Sequence, residues 1–166
     1  MAKLNHVKSA RKDYPKHGIK KGDSYFWWKF KNGLKNYSKN RPSRSMLTQS
    51  EFWGRIYDIQ DSASGQYPGM DDIESDAQQI ADDLRELASE CESKFDNLPE
   101  GLQGSQTGDL LTERKEACEQ AADAIESIDF SFDEDDDHDD VDQAKKDRAE
   151  EIWSEVTSAL DEISCS

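Results

Sequence analysis

Met70, Ile73, Ala77, Ile80, Leu84, Leu87 and Cys91 are spaced alternately by three and four residues. Kept up over three heptads, this spacing lays one continuous apolar seam along an α-helix; a strand, whose side chains alternate faces, would scatter it. The spacing predicts a helix from about residue 70 that ends near Asn97-Leu98-Pro99, followed by a loop over 98–108, where Pro99, Gly101, Gly104 and Gly108 gather. A second helix is expected over about 109–129, with Leu111, Cys118, Ala121, Ile125 and Ile128 on one side. A third, over about 140–164, uses Val141, Ile152, Trp153, Val156, Leu160 and Ile163, with Asp139 or Asp140 as its N-cap. Helices joined in series, each with one apolar stripe, bury those stripes most simply as an antiparallel bundle. Residues 70–166 are therefore expected to form an acidic three-helix bundle, with Cys91 and Cys118 as small core residues; a reactive thiol would want cationic surroundings.

The N-terminal part reads differently. Tyr25 to Phe30 is aromatic-rich, as suits a pleated, half-buried surface, and Asn32-Gly33 is the dipeptide that fits a type I′ turn. Leu34 to Ser38 would return as the partner strand. With period two, Tyr25, Trp27 and Lys29 share one face, and Phe26, Trp28 and Phe30 the other. Thr48 with Glu51 fits a capping box, and Phe52, Ile56 and Ile59 follow at helical spacing up to about Asp61. Ser62-Ala63-Ser64-Gly65 and Pro68-Gly69 then break the pattern. The expected class is α+β: a β-hairpin module over 1–46, a connecting helix over 47–60, a hinge over 61–69, then the acidic bundle over 70–166.

Charge divides the chain in the same place. Residues 1–50 carry thirteen Lys/Arg against two acids, a net of +11, whereas the remainder carries eight against thirty-five, a net of −27. Asymmetry on this scale constrains partners rather than fold. With 34% hydrophobic and 35% charged residues the chain approaches the disordered regime, but four Trp, six Phe and five Tyr supply enough apolar area for small cores. The first twenty residues hold no apolar run and no stretch reaches the roughly 18 residues of a membrane span, so no leader and no membrane contact is expected. Three cysteines without a close pair fit the reducing cytoplasm.

The run GIKKGDSYFWWKF…KNYSKNRPSRSMLTQSEFW carries a resemblance. A Lys-Gly-Asp/Glu turn, a Tyr/Trp-rich strand and an R-P-x-x-S-x-L-T-Q-S-[DE]-F stretch recur together in a group of small tailed-bacteriophage proteins. The matching residues here are Gly22, Asp23, Tyr25, Trp27, Trp28, Lys29, Tyr37, Arg41, Pro42, Leu47, Thr48, Gln49, Ser50 and Phe52. The resemblance covers roughly the first third of the chain and implies a phage origin. It brings no catalytic residue with it.

Two arrays are candidates for binding. In the head, Trp27 stands among Lys29, Lys31, Lys35, Lys39, Arg41 and Arg44, a mixture that suits base stacking and phosphate neutralisation. The same residues also read as a miniature core whose lysines protect a strand edge. In the body, Asp82, Glu86 and Glu90 repeat at i, i+4 about 6 Å apart along the helix, with Asp72 and Asp76 on an adjacent line. Glu119, Asp123 and Glu126 extend the charge to the second helix. Such a row can substitute for the phosphates of a nucleic-acid strand, or it can simply keep a small protein soluble.

Chemistry of other kinds finds little support. His6 and His17 lack the paired spacing of a zinc site, and the Gly18–Asp23 turn resembles half a zinc knuckle without its ligands. From Asp133, an EF-hand loop would need Gly and Glu where His138 and Ala144 stand, so the acidic run 133–140 reads as a solvated linker. No nucleophile–base pair or phosphate-binding glycine loop is present. The sequence thus predicts a non-enzymatic protein without cofactor or metal, acting in the host cytoplasm. Its leading function is that of an inhibitor or modulator whose acidic bundle imitates nucleic acid before a host nucleic-acid-binding defence or restriction protein. The alternatives are an accessory protein whose head binds nucleic acid, and a virion structural or assembly component. The opposite charges of head and body further predict that the head docks on the body, or on that of a second copy to give a homodimer, mainly through Trp27, Trp28 or Trp53.

Overall fold

The computed structural model describes residues 1–31, 33–65, 68–132 and 141–163. The chain is α+β, as the sequence predicts: a small antiparallel sheet precedes a helical region. It divides into two units, Met1–Asp61 and Ser62–Ser166. The boundary lies at the first residue of the expected hinge, although the connecting helix continues to Ala63.

In the first unit, strands β1 (Asn5–Val7), β2 (Tyr25–Lys29) and β3 (Lys35–Ser38) lie in the order β1-β2-β3, both pairs antiparallel. Trp27 faces Asn5 on one side and Tyr37 on the other. The hairpin differs from expectation at its turn. Its ladder ends at the pair Lys29↔Lys35, which leaves five residues, 30–34, as the connection instead of a two-residue type I′ turn. Gly33 donates its N–H to the Phe30 carbonyl at 3.1 Å; Asn32, the other half of the expected turn, lies outside the described residues.

The face bearing Tyr25 and Trp27 is covered by the β1–β2 connection. Ala10, Ile19 and Tyr25 are buried together, with Val7, Tyr14, Trp27 and Tyr37 packed against them. Tyr14 and Tyr37 stack with ring centres 5.2 Å apart. The connection folds back because Tyr14 bridges Ile19, Gly22 donates to the Ala10 carbonyl, and Gly18 and Gly22 take φ values of +65° and +96° that side chains resist. Asp13 and Asp23 fasten the same turn by accepting the N–H groups of Lys21 and Lys20.

Helix α1 spans Glu51–Ala63. Its cap is displaced by two residues from the expected capping box. Thr48 is extended (φ −111°, ψ 156°) and follows a 3₁₀ turn over Ser45–Leu47, but Gln49 and Ser50 after it are not helical, so the helix starts two residues later. Ser50 caps it instead, accepting the Trp53 N–H on Oγ at 3.4 Å, while Thr48 Oγ1 accepts the Ser50 N–H. Glu51 thus falls at the first helical position, too early to complete the reciprocal box.

The second unit holds α2 (Ile73–Asp96), α3 (Glu100–Gln103), α4 (Gln106–Glu126) and α5 (Val141–Glu162). α2 packs most extensively on α4, and α5 packs on both. Ile73, Ala77, Leu84, Leu87 and Cys91 of the expected seam are buried, whereas Met70 precedes the helix and Ile80 is half-buried. Cys118, Ala121 and Ile125 of α4 and Ile152, Trp153, Val156 and Leu160 of α5 complete the core. Val141 is 37% exposed, so the seam of α5 starts later than its sequence suggests.

The expected loop over 98–108 is mostly helical, comprising α3 and the first turn of α4. Gly108 lies inside α4 because a Cβ there would sit 1.9 Å from the Gln103 carbonyl oxygen. A close approach of backbone, rather than a break in the helix, explains this glycine.

Candidate functional site

The acidic array is built on α2 and α4. α2 carries eight acids against Arg85 and Lys94, and α4 six against Arg114 and Lys115. Asp72 flanks the start of α2 with its side chain uninvolved in capping, and Asp72, Asp76, Asp82 and Glu86 are all exposed. At 100° per residue, Asp82 and Glu86 point opposite the buried seam of Ile73, Leu84 and Leu87, with Glu90 and Asp72 beside them. Their neighbours are local. Gln78 donates to Asp82 at 3.4 Å, and Lys94 stands 3.7 Å from Glu90.

Glu119, Asp123 and Glu126 occupy a different place, along the α2–α4 seam. Arg85 donates from Nε and Nη2 to the two carboxylate oxygens of Glu126, at 2.9 and 2.6 Å, and from Nη2 to Asp123 at 2.8 Å. One turn pair further along, Lys115 bonds Glu92 at 2.5 Å and stands 3.8 Å from Glu119. Residues 85 and 92 thus meet 126 and 115, so the two helices run antiparallel. The Arg85 guanidinium holds the Glu126 carboxyl below its usual range, and Arg85 itself is pushed up by Glu126 and Asp123. The eight predicted contact residues therefore divide by role: four on or beside the outward face of α2, Asp76 exposed at its N-terminal end but on the flank nearer the core, and three drawn into a seam where cations neutralise them. Sequence spacing within one helix cannot show which flank meets a partner helix.

Beside this seam lies a cavity of about 430 Å³ lined by Glu74, Gln78, Ile125, Glu126, Ile128, Asp129, Phe130 and Ser131. Asp129 is held below its usual range by the Ser131 N–H that it accepts. No sequence motif marks this cavity, because α2 and the segment after α4 meet only in the fold.

Lys29, Lys31 and Lys35 of the basic array gather at the turn end of the hairpin. Trp27 is half-buried with Lys35 Nζ 4.3 Å from its ring centre. Lys29, Lys31 and Lys35 are exposed, Lys29 and Lys35 directly opposed in the ladder. Arg41 is exposed as well. Arg44 is engaged elsewhere, bonding Asp61 at 2.7 Å and lying over the Tyr57 ring, which ties the loop to α1. Lys39 pairs with Asp23, whose carboxyl is lowered first by the Lys20 N–H and then by Lys39.

His6 accepts or donates to Ser24 Oγ at 3.2 Å and stacks on Phe26; His17 lies against Tyr37. Among the described residues no group of three or more His, Cys, Asp or Glu is placed to hold a metal ion. The acidic run 133–140 lies outside the described residues. Burial pushes the Cys118 thiol up to about 12 and raises that of Cys91, so both stay protonated as core residues. Among the described residues no helix is long and apolar enough to cross a membrane. No protein-family model, curated protein or solved structure matches this chain.

Proposed function

We propose that this is a phage-encoded, non-enzymatic inhibitor or modulator that offers its acidic helices, in the host cytoplasm, to a host protein that binds nucleic acid. The observation that carries the reading is the run of exposed carboxylates along α2, where Asp82 and Glu86 point away from the core seam and Asp72 and Asp76 are exposed at its N-terminal end. The unit that contains it has thirty-two acids against seven Lys/Arg. α2 alone carries a net of −6 over twenty-four residues, one charge per roughly 6 Å of helix at about 1.5 Å per residue. That is sparser than the one charge per ~3.4 Å of axis on a nucleic-acid strand. The other helices must add their charge for a phosphate-binding channel to be filled. A positively charged channel would be drawn to such a surface over a Debye length, with salt weakening the encounter.

Capture from a lysate of the bacterial host tests this. Immobilised protein should retain a nucleic-acid-binding protein that is released by added oligonucleotide and by salt. The variant Asp82→Asn, Glu86→Gln, Glu90→Gln should retain markedly less of it. Retention indifferent to salt and to oligonucleotide would defeat the proposal.

A further inference from the structure

The first unit contains a second feature, distinct from the acidic helices and independent of the reading above. A cavity of about 380 Å³ is lined by Met1, Ala2, Lys3, Lys29, Phe30, Lys31, Leu47, Thr48 and Gln49. We propose that it binds a phosphate group.

Its walls come from three separate parts of the unit. Ala2 donates its N–H to the Leu47 carbonyl at 2.7 Å, which pins the N-terminal segment beside the 3₁₀ turn. Asn5 Nδ2 donates to the Lys3 carbonyl at 3.2 Å and reaches the Trp27 carbonyl at 3.5 Å, which fixes Lys3 beside the end of β2. Lys29 ends that strand and Lys31 follows it into the connection. The fold thus brings Lys3 beside Lys29 and Lys31, far from it in sequence, around one hollow.

Charge then selects the ligand. The unit has five acids, Asp13, Asp23, Glu51, Asp58 and Asp61, and none of them lines the cavity. Asp23 and Asp61 are committed to Lys39 and Arg44. Among the described residues, Lys3, Lys29 and Lys31 make no ion pair within 4.0 Å. Lys29 also stands opposite Lys35 in the ladder, an arrangement of like charges that costs stability until an anion relieves it. A phosphate has the multiple charge and the tetrahedral oxygens to take several ammonium donors, with the Thr48 hydroxyl and Gln49 amide as neutral partners. Phe30 and Leu47 add an apolar wall, against which the rest of a phosphorylated ligand can lie. The same lysines serve a phosphate that comes as the free ion or as part of a nucleic-acid strand.

The experiment uses the full chain labelled with ¹⁵N. Inorganic phosphate, added at constant ionic strength against chloride, is expected to move the amide resonances of Lys3, Lys29, Lys31 and Gln49 along one saturable curve. A short oligothymidylate is the second arm. If it displaces phosphate, the site takes strand backbone, and affinity should fall with salt with a log–log slope near −2 for three contacts. If only inorganic phosphate binds, the site takes small phosphates. Either outcome supports the proposal. The variant Lys3→Gln, Lys29→Gln, Lys31→Gln should lose binding at least tenfold, whereas Lys16→Gln, Lys20→Gln in the same unit should retain it. Should the triple variant misfold, the shift map of the unaltered protein still decides. Resonances that respond to phosphate no more than to chloride, or a folded triple variant that binds like the parent, would overturn the site.

Discussion

Individual residues in this chain do work that their types alone do not announce. Gly108 is one. Glycine inside a helix ordinarily costs about 1 kcal/mol relative to alanine, so replacing it by alanine should normally stabilise. Here the added Cβ would stand 1.9 Å from the Gln103 carbonyl oxygen and 2.8 Å from its carbon, both backbone atoms that no rotamer change can move. Gly108→Ala is therefore expected to destabilise the second unit by about 1–3 kcal/mol, the usual range for overpacking. Gly101→Ala, where a Cβ meets nothing within 4 Å, should be neutral or slightly stabilising. Urea titrations followed by far-ultraviolet circular dichroism compare the two; equal midpoints would show that α3 and α4 separate easily. The tryptophans make a similar contrast. Trp153 Nε1 donates to the Ala63 carbonyl at 2.8 Å, while Trp28 Nε1 is buried with no acceptor among the described residues. Identical residue types thus carry opposite hydrogen-bond accounts, which only the fold reveals.

At the scale of elements, legibility followed the strength of the periodic signal. The seam of α2 was readable because Ile73, Leu84 and Leu87 are large and regularly spaced. The alanines that share its interior, Ala81 and Ala88 with Ala122 on α4, were not, since alanine is common on exposed helix faces too. β1 was missed because a strand of three residues cannot display an alternation. Thr48 misled because a capping sequence sets a helix start only if the residues after it turn helical at once, and Gln49 and Ser50 do not. The acidic residues were legible as a set but not by role. Arg85 bridges to α4 from a helix on which the nearest acids are also its own neighbours. That clamp has a measurable signature. The Glu126 carboxyl is held below its ordinary value of 4.5 in the folded chain by Arg85. A depressed folded value means that its stabilisation is fully present above about pH 4.5 and is lost as pH falls through the folded value. Glu126→Gln should accordingly be less stable than the parent at neutral pH, and the gap should close on acidification below about 4.5. Comparing the two proteins cancels the contribution of Asp129, lowered in the same range by Ser131. A gap that stays constant with pH would mean that the Arg85 clamp contributes nothing through charge.

For the molecule as a whole, the question is whether its ion pairs or its excess charge governs stability. The unit Ser62–Ser166 has a net of −25. Its pairs, such as Arg85 with Asp123 and Glu126, Lys115 with Glu92, and Arg148 with Glu151, are exposed or half-exposed to solvent. Pairs of that kind contribute about 0–1 kcal/mol each and weaken in salt. Repulsion among the remaining carboxylates acts between every pair within a Debye length, about 30 Å at 0.01 M salt but only about 3 Å at 1 M. Thirty-two acids against seven cations make far more repulsive pairs than attractive ones, so screening should relieve more than it costs. Raising sodium chloride from about 0.01 to 1 M should therefore raise the thermal midpoint of the helical signal. A net relief of about 1 kcal/mol corresponds to roughly 4–8 °C for a domain of this size. Sodium chloride is preferred to a divalent salt, whose cations could bridge carboxylates and stabilise by another route. A midpoint that falls with salt would show that the few clamps across α2 and α4 outweigh the whole excess charge, and the acidic face would then be a structural device more than a surface kept charged for a partner.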